Sequence, residues 1–213
     1  MKVVDWVPAG IDVNQASAAR IHDYHLGGLY NFPADRWVAE RAVDNLPELP
    51  SVIRANRAFL QRAVRVLAEA GVRQFVDLGS GIPTAGNVHE VAHAVDPTTR
   101  VVYVDIDPVA VAHGTAMLAG LYGAAIARAD LRDVPRVLAK PAVRDLIDFS
   151  EPVGVLMVAV LHLLADADDP ARIIADYRDA VPTGSHLVLS HPGPGTRSGP
   201  ASITTNAARH PGG

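Results

Sequence analysis

The chain has 213 residues, of which 49% are hydrophobic and 20% charged, with no cysteine and a formal net charge of −4. This length makes room for one domain with a sizeable core, and the composition is that of a globular protein. The lack of cysteine excludes disulfides, thiol nucleophiles and cysteine-ligated zinc, and the mildly acidic balance gives no bulk electrostatic reason to bind nucleic acid.

Lysine occurs only as Lys2 and Lys140, arginine being the usual cation, which reads as a GC-rich coding bias. The first residues, MKVVDWVPAG, lack the apolar centre of a signal peptide and look like a loose leader. No apolar run approaches the length of a membrane span, so a cytoplasmic protein with no membrane partner is expected. Residues 12–50 read as a broken helical cap, punctuated by Gly27, Gly28, Pro33, Pro47 and Pro50. Its segment ARIHDYHLGGLYNFPAD is dense in polar and aromatic side chains. It either packs Tyr and Phe on the core or closes over a ligand, and one element can do both.

A longer helix follows, with Ser51 as its expected N-cap and a stripe formed by Ile53, Phe59, Leu60, Ala63, Val64, Leu67 and Ala70. Arg54, Arg57, Arg62 and Arg65 fall largely on other faces and read as a solvated basic surface. Gly71 suits the position just past the helix end.

The stretch from Phe75 to Asn87, FVDLGSGIPTAGN, reads as a buried strand, a glycine turn and a helix start. Gly79 and Gly81 permit a tight turn and close approach of a ligand, and the helix N-terminus is expected directly behind them, with Pro83 in its first turn. In the dinucleotide fingerprint G-x-G-x-x-G the third position falls here on Thr84. Asp77, just before the first glycine, would repel a pyrophosphate but suits an ammonium group. The next strand, VVYVDIDP, ends in Asp105, placed to accept hydrogen bonds from both ribose hydroxyls. Ribose without pyrophosphate, together with an ammonium group, describes S-adenosylmethionine. Ser80 between the glycines, and Ile106 and Asp107 after Asp105, complete the expected cofactor set.

A helix is expected from Pro108 to about Leu121, then a strand from Ala124 to Asp130. Asp130 and Leu131 are placed to hold an adenine, by an acceptor and an apolar contact; Asp130 is equally placed to cap a short helix over 131–138. Val153 to Val160 is continuously apolar, as a strand buried on both faces should be, and leads into His162. A helix over Pro170 to Ala180 and a strand over His186 to Ser190 follow. Alternating strands and helices predict an α/β fold, a doubly wound, mostly parallel sheet. Its right-handed crossovers gather Asp77, Gly79, Gly81, Asp105, Asp130 and His162 at one edge. Residues 51–192 form this Rossmann-like core, and residues 193–213, rich in Gly, Pro, Ser and Thr, read as an irregular tail. The last strand then has an open edge, which the tail or a second copy of the chain (a homodimer) could cover.

One motif competes. His89-Glu90-Val91-Ala92-His93 matches H-E-x-x-H, in which two histidines on one helix face ligate zinc. The third ligand is missing: Asp96 and Thr99 stand where a metzincin has glycine and histidine, and no glutamate lies between Glu90 and Glu151. No metal is expected.

The blocks SAARIHDYHLGGLYNFPADR, NRAFLQRAVR, QFVDLGSGIPTAGNVHEVA, VVYVDIDP and VAVLHLLADADDP resemble a family of bacterial S-adenosylmethionine-dependent methyltransferase-like proteins formerly known as a domain of unknown function. The resemblance spans about Ile11 to Pro192. It departs at His25, where the family usually has leucine, and at Leu29-Tyr30, where it has a Lys-Asp pair. It implies a class I methyltransferase fold with strand order 3-2-1-4-5 and two further strands. It also implies that Asp77, Gly79, Gly81 and Asp105 hold S-adenosylmethionine. The expected activity is methyl transfer to a small-molecule acceptor. The alternatives are a catalytically inactive cofactor-binding protein, an NAD-dependent oxidoreductase and a zinc hydrolase. His22, Tyr24, His25 and His162 are candidates by type should an acceptor need deprotonation, and no catalytic residue is named.

Overall fold

The computed structural model describes residues 11–83 and 86–193. Five parallel strands form one sheet: β1 (Gln74–Leu78), β2 (Arg100–Asp105), β3 (Ala124–Arg128), β4 (Gly154–Val158) and β5 (His186–Ser190), in the order β3-β2-β1-β4-β5. The register runs Asp77 against Tyr103 and Leu156, and Asp105 against Arg128. The expected irregular tail and the two further strands lie outside the described residues.

The central strands are apolar on both faces because both faces are covered. On one, Val76, Val102, Val104, Val155 and Met157 pack with Ile173 and Tyr177 of α8 (Pro170–Asp179) and with the short helices α6 (Val134–Leu138) and α7 (Pro141–Leu146). On the other, Phe75, Val101, Tyr103 and Leu156 meet Leu60, Val64 and Leu67 of α3 (Leu49–Glu69) and Val88 and Ala92 of α4 (Val88–Val95). A parallel strand returns to the same edge only through a crossover, so each strand tip delivers its following loop to one side of the sheet.

Three expected boundaries are corrected. The helix after the glycine turn starts at Val88, with Asn87 as N-cap, so Pro83 lies in the preceding loop. The reason is that Glu90 accepts a hydrogen bond from the Asn87 N–H at 2.8 Å, a reciprocal cap that fixes the start there. Helix α3 begins at Leu49 with Pro50 in its first turn, leaving Ser51 inside the helix rather than capping it. Asp133, not Asp130, caps α6, accepting from the Arg136 N–H at 3.2 Å, because Asp130 is held by Arg132.

The N-terminal elements α1 (Ala18–His25) and α2 (Pro33–Asn45) lie against α3 and against α5 (Pro108–Met117). A buried ionic cluster joins them to the core. Arg20 pairs with Asp35 at 3.0 Å and with Asp107 at 3.6 Å, and all three side chains are at most 8% exposed. Asp35 also accepts from the Ser17 and Phe32 N–H groups, and Ser17 Oγ donates to Asp107. The cap therefore seats on the N-terminus of α5, one residue from the Asp105-Ile106 strand tip.

Candidate active site

A cavity of about 1050 Å³ opens at the carboxyl ends of the strands, beneath α1 and the N-terminal half of α3. Asp77, Gly79, Ser80, Gly81, Asp105, Ile106, Asp107, Asp130 and Leu131 all line it, and so do His22, His25 and His162. Tyr24 does not: its hydroxyl donates to Glu40 at 3.0 Å, and it lines a smaller cavity with Glu40, Val43 and Asp44.

The glycine turn is stapled to the tip of β2. The Gly79 N–H donates to Val104 O at 2.8 Å and the Gly81 N–H to Asp105 Oδ2 at 2.7 Å. Both glycines have positive φ, +70° and +69°. A Cβ on Gly79 would also strike Val160 at 2.3 Å, whereas one on Gly81 would meet nothing within 4 Å, so the space before that turn is open.

Asp105 accepts from Gly81 through Oδ2 and from the Asp107 N–H through Oδ1 at 2.8 Å. Each carboxylate oxygen has a second lone pair, so both can still accept from a ligand hydroxyl. Burial raises its pKa. Asp107 is more fully engaged: Oδ1 caps α5 through Val109 and Ala110, and Oδ2 takes Ser17 and Arg20. Asp130 is clamped by Arg132, which also reaches Asp168 at 3.0 Å, and this hydrogen bonding lowers the Asp130 pKa. Leu131 is buried, and Ile106 is exposed at the cavity edge.

Asp77 differs from these. It is 4% exposed, and its carboxylate has no hydrogen-bond partner among the described residues. Burial lifts its pKa to about 7, opposed by the positive charge of Arg57 and aided by Asp105.

Sequence reasoning missed several lining residues. Arg57, read as solvated surface, faces the cavity and bears electrostatically on Asp77 and His22. Asn56 accepts from Ser190 Oγ at 2.6 Å, and Ser190 Oγ in turn accepts from the Ala159 N–H at 3.0 Å. This chain holds Ala159 at φ +56°, a left-handed conformation costly for a residue with a side chain and often found at functional sites. The only usable clue was a polar Asn56 at a position that the helical stripe would bury.

The zinc motif has other occupations. His89 Nδ1 lies 2.7 Å from the Tyr103 hydroxyl and His93 Nε2 2.8 Å from Thr99 O, while Glu90 serves the helix cap. Among the described residues no cluster of three potential ligands could hold a metal ion. No helix among them is long and apolar enough to cross a membrane.

A five-stranded parallel sheet in this order, with carboxylates at the tips of β1 and β2 beside a glycine turn, defines a Rossmann-like class I methyltransferase. The sequence profile of the S-adenosyl methyltransferase family matches residues 4–209, and the chain belongs to that family. A candidate methyltransferase from Thermobifida fusca YX is 46% identical, superposes with a TM-score of 0.84, and is matched over 88% of this chain and 70% of its own. A DUF574 family protein from Streptomyces avermitilis MA-4680 is 40% identical with a TM-score of 0.82, over 85% of this chain and 70% of that one. No curated protein matches the chain. The protein is thus a methyltransferase by family and fold, and neither the NAD-dependent nor the zinc alternative gains support.

Proposed function

We propose that the cavity binds S-adenosylmethionine over the tips of β1, β2 and β3 and presents its methyl group to a small molecule held over β4 and β5. The observation that carries this reading is the Asp77 carboxylate, buried against the cavity without a hydrogen-bond partner among the described residues. Arg57 offsets the burial only in part, since the pKa stays raised, so the carboxylate still favours a further cation. An α-ammonium group is such a cation, and Arg57 beside it suits the α-carboxylate of the same amino acid.

The remaining assignments follow the lining. Asp105 takes the ribose hydroxyls; Gly79, Ser80 and Gly81 leave the backbone accessible to the ligand. Ile106 and Leu131 cover the adenine faces, and Asp130 accepts its amino group. Asp107 acts by holding α5 and the cap in place. Residues 12–50 serve as the lid and residues 51–192 as the catalytic core.

When bound, the cofactor supplies a methyl group on a cationic sulfonium. The protein's part is to align donor and acceptor and to exclude water, which can supply much of the acceleration without a dedicated acid or base. The acceptor is the one partner needed, and pairing of two chains along the edge of β5, unpaired among the described residues, is a further proposal, read by light scattering.

Calorimetric titration with S-adenosylhomocysteine tests the assignment. Asp77→Asn should weaken binding by roughly 1.5–3 kcal/mol, about ten- to a hundredfold. Unchanged affinity would remove Asp77 from the site.

A further inference from the structure

The two halves of the cavity differ in chemistry. Its carboxylates come from Asp12 and from the tips of β1, β2 and β3 and the residues just after them. The half built from α1, α3 and the segments after β4 and β5 contributes none among the described residues. It offers His22, His25, His162 and His191, set against Val52 and Ile53. The imidazoles form a group: His162 and His191 stand edge-on at 6.2 Å, and His22 feels both His25 and His162. His25 Nε2 is buried without a hydrogen-bond partner among the described residues, and Val52 and Ile53 give this half an apolar floor. The cavity exceeds the roughly 300–1000 Å³ usual for one small ligand, which leaves room for an acceptor beside the cofactor.

A protonated amine would find no carboxylate here, and a polyanion would find the cations of this half, Arg20 and Arg57, already facing carboxylates, Arg20 against Asp35 and Asp107 and Arg57 against Asp77. Imidazoles over an apolar floor suit a neutral, largely apolar molecule with an acidic O–H. We propose that the acceptor is a phenol or enol, that its oxygen is the nucleophile, and that His162 takes its proton. This rests on the cofactor lying over β1, β2 and β3. In the step, the oxygen forms a bond to the methyl carbon as the carbon–sulfur bond breaks. The sulfur keeps the electron pair, and the oxygen's proton passes to a ring nitrogen of His162 and then to water. His162 is accessible from the cavity, and its neighbours there are His22 from α1 and His191 after β5. Burial and His191 lower its pKa, which keeps it an unprotonated acceptor at neutral pH.

The test has two readouts. With S-adenosylhomocysteine saturating, 1-naphthol and 2-naphthol should each raise the melting temperature, and 1-naphthylmethylamine and a primary alkylamine, both protonated at neutral pH, should not. With radiolabelled S-adenosylmethionine, the naphthols should be methylated on oxygen. His162→Gln, a change at a side chain that borders the cavity, should lower that rate by about 10²-fold or more while leaving S-adenosylhomocysteine affinity within a factor of two. His162→Asn should behave the same way. Preference for the amines, no melting shift from either naphthol, or an unchanged rate in both His162 variants would overturn the proposal. Failure of S-adenosylhomocysteine itself to bind would instead overturn the cofactor placement on which it rests.

Discussion

Burial holds the Asp77 carboxylate at a pKa of about 7, and this has opposite consequences for the empty and the occupied protein. In the empty protein the folded-state pKa lies above the unfolded value. The neutral carboxyl therefore contributes stability that is fully present below about pH 4 and is lost as pH rises through about 7. Binding of an ammonium group reverses the preference, because it favours the charged form. Cofactor affinity should therefore rise between pH 5.5 and 8. Titration at pH 6.5 in buffers of different ionisation enthalpy should show proton release on binding, absent in Asp77→Asn. Affinity that stays flat across that range would mean that no cation docks at Asp77. Asn56 belongs to the same scale. It is 8% exposed and Ser190 is 3% exposed, so Asn56→Ala leaves the buried Ser190 hydroxyl without its acceptor. The expected cost is about 1–3 kcal/mol in urea denaturation.

Two elements carry predictions of their own. Helix α1 is fastened to α5 through Arg20, which neutralises Asp35 and Asp107 out of contact with water. Arg20→Met would leave two uncompensated buried carboxylates, at a cost of about 3–5 kcal/mol. For a chain of this size that is a fall on the order of 10 °C in melting temperature. Arg20→Lys should recover little of it, because a point charge cannot reproduce the guanidinium's contacts with Asp35, Asp107 and the Gln15 carbonyl at once. A loss below 1 kcal/mol in Arg20→Met would show that the cluster does not hold the cap. In α4 the histidines of the H-E-x-x-H motif are bonded to Tyr103 and Thr99. A chelator should leave the melting temperature unchanged and metal analysis should find no stoichiometric zinc; a chelator-induced drop would restore the metal reading.

At the scale of the whole molecule, the cavity joins the cap, three strand tips and the segments after β4 and β5, so a ligand there should stabilise the fold as a unit. S-adenosylhomocysteine at a hundred times its dissociation constant should add about 2.7 kcal/mol, and NAD at the same concentration should add nothing measurable. A shift with NAD alone would return the dinucleotide reading. The outer edge of β5, unpaired among the described residues, belongs to this scale too, since whether a second chain covers it is a property of the assembly.

Much of this was legible in the sequence because it is local. A run such as VVYVDIDP is a buried strand by its own composition, and a strand's carboxyl end is fixed once its direction and crossover are known. Asp77, Gly79, Gly81 and Asp105 could be assembled on paper from the parallel order alone. What only the tertiary structure decided depended on side chains approaching across long separations. Arg57 and Asn56 sit on a helix whose stripe explained its packing but not which flanking residues would look into the cavity. Ser190 meets Asn56 only because β5 ends beside α3, and Ala159 takes its left-handed turn because that pair holds its N–H. The start of α4 was misread for the same reason: a glycine turn signals where a strand stops, but a reciprocal cap at Asn87 and Glu90 determines where the next helix begins.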